Sequence, residues 1–185
     1  MTVLTDIVQV QISRETQAVS RAAFNIPMFL AELTAFSERS RSYTSFAALA
    51  EDFKSGSSVY EAGLRYFGQE LIPSTVVIGR KQVNSVAGSI GTVSNSTVYS
   101  ITVDGVLVSI TSSASATATN IVTALKAQYT SVGPATVNMV DNLSGTFSLT
   151  VATPGTGWSV LSSINVLTVN AASTESWPDA ITAVE

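Results

Sequence analysis

Charge all but disappears from this sequence after Lys81. Residues 1–81 carry eight basic and eight acidic residues, whereas residues 82–185 carry one basic residue, Lys126, and five acidic ones. Hydroxyls take their place: 29 of the 91 residues from Gln82 to Ala172 are Ser or Thr. Val, Ile and Leu alternate with these hydroxyls. That is the period of a strand with one wet face, not the composition of a linker. A chain divided in this way predicts two units in different surroundings, ordinarily charged before Lys81 and β-rich after it. A length of 185 residues suffices for one domain or two small ones.

Two absences narrow the chemistry. The chain has neither Cys nor His. It therefore has no disulfide, thiolate nucleophile or zinc ribbon, and it lacks the imidazole of a Ser-His-Asp triad and of most transition-metal sites. A net charge of -4 offers nucleic acid no basic footprint. No apolar run approaches the roughly 18 residues of a spanning helix. Met1 to Val10 lacks the basic and then apolar stretches of a secretory signal. The expectation is a protein that is not an enzyme, with no cofactor, no metal, no nucleic-acid partner and no membrane insertion.

Along the chain, Val3 to Ile12 reads as an extended segment. Arg14 to Arg21 reads as a loop, and Met28 to Leu33 as a short buried strand placed there by Pro27. Ser37 to Tyr43 is a polar loop. Two helices follow. Thr44 or Ser45 caps the first, whose stripe is Phe46, Leu49, Ala50 and Phe53 and whose end is Gly56. The second opens with a capping box from Ser58 to Glu61, presents Tyr60, Leu64, Phe67 and Leu71, and stops at Pro73. Thr75 to Ile78 is wholly apolar, as in a strand buried on both faces.

After Lys81 the pattern changes. Asp104-Gly105 between Val98–Val103 and Val106–Ile110 signals a hairpin with a type I′ turn. Thr119 to Tyr129 is a helix with Ala118, Ile121, Val122, Leu125 and Tyr129 as its stripe. Ala135–Val140 and Thr146–Val151 are alternating strands, and Val160–Val169 is one strand or two short ones. Ser176-Trp177-Pro178-Asp179 starts a last helix, with Pro in its first turn. The expected fold class is α+β: an α/β-type core portion plus a β-rich inserted domain with one helix, the core being incomplete.

Each chemically suggestive group has a plainer role. Glu51 and Asp52 are adjacent on a helix and read as a solvated face. Asp104 and Asp141 sit in turns whose backbone favours Asp. Thr123 and Lys126 have the spacing of a hydroxyl-lysine dyad but lie on a helix surface. Arg39, Arg41 and Arg65 are expected to pair with Glu38, Glu51 and Glu61 rather than with phosphate. Tyr43, Phe46, Phe53, Tyr60, Tyr66 and Phe67 read as core.

One ordered set of residues carries a resemblance. It begins with Val8-Gln9-Val10-Gln11-Ile12-Ser13 and Ala22-Ala23-Phe24-Asn25-Ile26-Pro27. It continues through Arg41-Ser42-Tyr43-Thr44-Ser45, Asp52-Phe53, Tyr60-Glu61-Ala62 and Tyr66-Phe67-Gly68-Gln69, and ends in Pro73-Ser74-Thr75-Val76-Val77-Ile78-Gly79-Arg80. In this order they resemble the N-terminal region of contractile phage tail sheath proteins. Val98 to Val169 resembles the domain often inserted into such sheaths, and Ser176-Trp177 with Ala180-Ile181 resembles the return into the core.

The resemblance implies residues 1–13 as an extended N-terminal arm and 14–81 as the first part of the sheath core. It implies 82–172 as the insertion and 173–185 as the start of the return helix. It further implies a virion structural protein, made in the host cytoplasm, that polymerises with copies of itself around the tail tube. On a baseplate trigger it contracts to drive the tube through the host envelope for genome ejection. Val3, Leu4, Ile7, Val8, Val10 and Ile12 would form the inter-subunit arm, adding a strand to a neighbour's sheet. The departure from the family is that its members continue well beyond the insertion. The alternative expectation is a β-rich adhesion or tail-decoration module that binds a host surface or a glycan through residues 82–172.

Overall fold

Hydroxyl side chains start all four helices of the computed structural model, which describes residues 26–70, 74–162, 164–171 and 173–184. Ser45, Ser57, Thr117 and Ser176 each accept a hydrogen bond from the backbone N–H three residues on. Such a cap contributes about 1 kcal/mol.

The first unit runs β1 (Met28–Glu32), β2 (Ser40–Tyr43), α1 (Phe46–Asp52), α2 (Ser58–Phe67) and β3 (Val76–Lys81). Its strand order is β1-β3-β2, with β1 parallel and β2 antiparallel to β3. The central strand β3 has Val76 and Ile78 fully buried and runs on through Arg80 and Lys81, beyond the expected apolar stretch. Five edge-to-face aromatic pairs pack this unit, among them Phe36 on Phe53 and Phe46 on Tyr60.

Several expectations here are corrected. The Met28 strand is an outer strand, with Met28 itself 39% exposed, because β1 pairs with β3 alone among the described residues. The segment expected as a polar loop closes into β2, since Ser40 to Tyr43 can bond the free side of β3. The helix α1 ends at Asp52 rather than near Gly56, because Phe53 turns extended to enter the core. In α2 the cap is Ser57, not Ser58, and the buried face is Val59, Gly63 and Phe67, while Leu64 is exposed. Gly63 selects that face. A Cβ there would lie 2.7 Å from Leu49 Cδ1, so α1 and α2 approach as they do because Gly63 has no side chain. Leu71 and Pro73 lie outside the described residues.

The second unit runs β4 (Ser85–Ile90), β5 (Val98–Val103), β6 (Val106–Thr111), α3 (Ala118–Val132), β7 (Val137–Asp141), β8 (Thr146–Val151), β9 (Val160–Ser162) and β10 (Val166–Asn170). These strands form a four-stranded sheet, β10-β4-β8-β7, and a three-stranded one, β6-β5-β9. Asp104 and Gly105 take φ of 46° and 78°, as the type I′ hairpin requires. Ile121, Val122, Leu125 and Tyr129 of α3 bury themselves against both sheets, as the stripe predicts. Val160 to Val169 divides into two strands of different sheets. The strand β4 has no counterpart among the expected elements; its inner positions are Val86, Gly88 and Ile90, and Phe147 fills the space a Cβ at Gly88 would take.

The last helix, α4 (Trp177–Thr182), returns to the first unit, where Ala180 is fully buried and Trp177 lies under Lys81 Nζ at 4.4 Å. The whole is a mixed α+β fold. Its buried apolar residues form two separate clusters, one from Leu33 to Ile78 and one from Val83 to Val166.

Candidate functional site

The boundary between the two clusters is a polar neck. The chain leaves β3 through Arg80, Lys81 and Gln82 and comes back past the same point at 173–177. Glu175 joins the two passes: its carboxylate accepts two bonds from Arg39 Nη1, at 2.8 and 3.0 Å, and one from the Gln82 backbone N–H at 2.6 Å. The Ser173 hydroxyl donates to the Gln82 carbonyl and accepts from the Glu175 N–H. The Gln82 amide donates to the Thr156 carbonyl at 2.8 Å, and Trp158 Nε1 donates to the Val83 carbonyl at 2.6 Å.

Arg80 stands at the centre, 1% exposed. Its Nη1 donates to the Trp158 carbonyl and its Nη2 to Gln82 Oε1, while Nε has no partner. No carboxylate neutralises it directly. Burial, and then repulsion by Arg39, push this guanidinium below its usual pKa. Burying a cation without a paired carboxylate is costly, so the neck stays closed only while the acceptors around Arg80 are held in place. Residues 32–34 tie the second unit down on another side. The Thr34 carbonyl accepts from the Val160 N–H at 2.7 Å, and Asn170 bonds both Thr34 Oγ1 and the Glu32 carbonyl.

The suggestive side chains are not brought together. Asp52 is not simply a solvated carboxylate: Arg41 Nη1 donates to it at 2.8 Å and the Tyr43 hydroxyl at 2.5 Å. Burial first, and then Asp52, hold the Tyr43 phenol well above its usual pKa. Burial alone would lower the Arg41 pKa, but bonds to Asp52 and Glu38 outweigh it and raise the value. Asp104 accepts from Thr136 Oγ1 and the Ser159 N–H, anchoring the hairpin turn. Asp141 accepts from Thr123 Oγ1 and the Leu143 N–H, so Thr123 is engaged away from Lys126. Arg39 pairs across the neck with Glu175 instead of with a neighbour in sequence.

Among the described residues no group of His, Cys, Asp or Glu is arranged to hold a metal, and no helix is long and apolar enough to cross a membrane. The cleft where β1 and α1 face β9 and β10 has a volume of about 260 Å³, and a second, between Lys54, Gly91 and Leu167, about 410 Å³; only the first falls below the roughly 300–1,000 Å³ of small-molecule sites. The proposed arm residues Val3, Leu4, Ile7, Val8, Val10 and Ile12 lie outside the described residues.

Sequence reasoning missed the neck because its partners, such as Arg39 and Glu175, are up to 136 residues apart. The one available signal was Arg80-Lys81 ending an apolar strand, where two cations must find acceptors from elsewhere. No family model and no curated protein matches this chain.

Proposed function

We propose that this chain is a structural subunit of a contractile phage tail sheath, polymerising with copies of itself around a tail tube and contracting to drive the tube through a host envelope. The observation that carries the reading is the neck. Residues 82–172 leave the first unit and return to within hydrogen-bonding distance of where they left, through Glu175 to Gln82 and Asn84 to Thr174. This is what an excursion inserted into a continuing host unit requires.

Two further observations support it. Of the residues that carry the resemblance, the described ones between Arg41 and Arg80 fall on one packed unit: Arg41 and Tyr43 of β2 hold Asp52 of α1, and the Val76 to Arg80 segment is the central strand. Among the described residues, β1 and β2 each have one side without a strand partner, which are positions a neighbour's arm could extend. The work of such a protein lies in interfaces and not in a reactive site.

The test is electron microscopy of tail particles carrying the chain, labelled with gold-conjugated antibodies against residues 82–172. Label repeating along the tail shaft is the expected result. Label confined to a fibre or a baseplate, or absent from the tail, refutes the reading. Deleting residues 1–12 should abolish tubes while leaving circular dichroism unchanged.

A further inference from the structure

We propose that Glu175 is shared between two guanidiniums, and that the neck has a second arrangement in which its carboxylate leaves Arg39 and grips Arg80. The proposal does not depend on the sheath reading.

It starts from one atom. Among the described residues, Arg80 Nε is the one buried side-chain nitrogen or oxygen without a hydrogen-bond partner. Buried polar atoms are otherwise paired, so an orphan inside a dense polar network marks strain that another arrangement can relieve.

The orphan lies on a particular edge of the guanidinium. Nε and Nη2 point the same way, and together they make one of the forks by which arginine holds a carboxylate with two parallel bonds. Here Nη2 donates to Gln82 Oε1 at 3.0 Å, while Nε donates to nothing. A neutral amide therefore uses half of an edge shaped for an anion.

Glu175 is placed to complete that edge. Its carboxylate accepts from the backbone N–H of the same Gln82 at 2.6 Å, so a single residue stands between the cation and the acid. Burial and then Arg39 lower the Arg80 pKa, and of the carboxylates that act against them Glu175 acts most strongly, ahead of Glu38 and Asp104. Those two are engaged elsewhere, Glu38 by Arg41 and Asp104 by Thr136 and Ser159.

Arg39 is what holds Glu175 back, with bonds at 2.8 and 3.0 Å. Its hold is the weaker one. The Arg39 side chain is 33% exposed, and ion pairs in contact with water are worth little, whereas a buried cation without a carboxylate is costly. An anionic group that takes Arg39 from outside releases Glu175 inward. That move strips the Gln82 N–H of its acceptor, and this is the bond that holds the returning chain to the departing one. The input of the switch is thus a surface arginine, and its output is the closure of the neck.

The test is hydrogen exchange followed by NMR on the full chain, with the Arg80 Nε–H and the Gln82 backbone N–H read separately. Arg39→Gln removes the competing cation. The expected result is a pair of opposite changes, exchange about tenfold slower at Arg80 Nε–H as the carboxylate arrives and about tenfold faster at the Gln82 N–H as it leaves. Adding Glu175→Gln to the Arg39→Gln chain should abolish the slowing at Arg80. A neck that merely loosens would speed exchange at both groups, and a neck held by its other bonds would change neither. Either result overturns the proposal, as does slowing at Arg80 that survives Glu175→Gln.

Discussion

Replacing Gly157 with alanine should prise the two units apart where they are locked. A Cβ at this position would stand 2.1 Å from the Ser37 carbonyl oxygen and 3.0 Å from Arg80 Nη2. The first contact is with backbone, which has no rotamer to change, so the loop before β9 has to move off the first unit. Overpacking of this kind costs about 1–3 kcal/mol. The movement also stretches the buried bonds that this loop makes, from Arg80 to the Trp158 carbonyl and from Val160 to the Thr34 carbonyl. Each is worth about 1 kcal/mol. The combined loss of about 3–5 kcal/mol is a large part of a typical stability of roughly 5–15 kcal/mol. It should lower Tm by roughly 6–20 °C in a chain of this size. The assay is thermal unfolding followed by circular dichroism and by tryptophan emission, which reports the fully buried Trp158. Gly155→Ala is the control. Its φ is +87° with nothing within 4 Å, so alanine there carries backbone strain alone, about 1–2 kcal/mol. A Gly157→Ala protein that melts with the wild type, or loses no more than Gly155→Ala, would show that the neck is not closed as described.

Other consequences follow from the same contacts. Glu175→Ala leaves the Gln82 N–H without its acceptor and should cost about 2 kcal/mol by urea denaturation, whereas Arg39→Ala, which removes a half-exposed partner, should cost less than about 1 kcal/mol; the reverse order would contradict the role given to Glu175. The Tyr43 phenol has a raised pKa in the folded state, so the folded chain holds that proton more tightly than the unfolded one. Its contribution is intact below the ordinary phenol value of about 10 and is lost as pH climbs beyond it. Tyr43→Phe should therefore flatten the alkaline fall in Tm, and an unchanged slope would show that burial and Asp52 do not hold the phenol above its usual pKa. Leu143 is 78% exposed with φ of 60°, a backbone that leucine adopts at a cost. Leu143→Asn should stabilise the chain by about 0.5–1 kcal/mol, and a loss in calorimetry would contradict that.

Local rules were enough wherever a few neighbouring residues decide the backbone. Asp104-Gly105 determined its hairpin because both positions need positive φ, and the Ile121 to Tyr129 stripe determined which side of α3 is buried. Ser176 marks a helix start by itself, Thr44 or Ser45 marks another to within one residue, and the fall in charge after Lys81 separates the two hydrophobic clusters. The tertiary structure decided what depends on distant partners. Ser40 to Tyr43 became a strand because β3 offered an unpaired side, and β4 formed between β8 and β10 though only one large apolar residue, Val86, faces inward in its first half. Gly63, which weakens a helix in isolation, chose the buried face of α2 because Leu49 needed the space. The neck is the extreme case. Trp158 and Glu175 carry no local signal, Arg80 shows only as a cation ending an apolar strand, and burial of its guanidinium is tolerable because the folded chain brings the Trp158 carbonyl to it from far along the sequence.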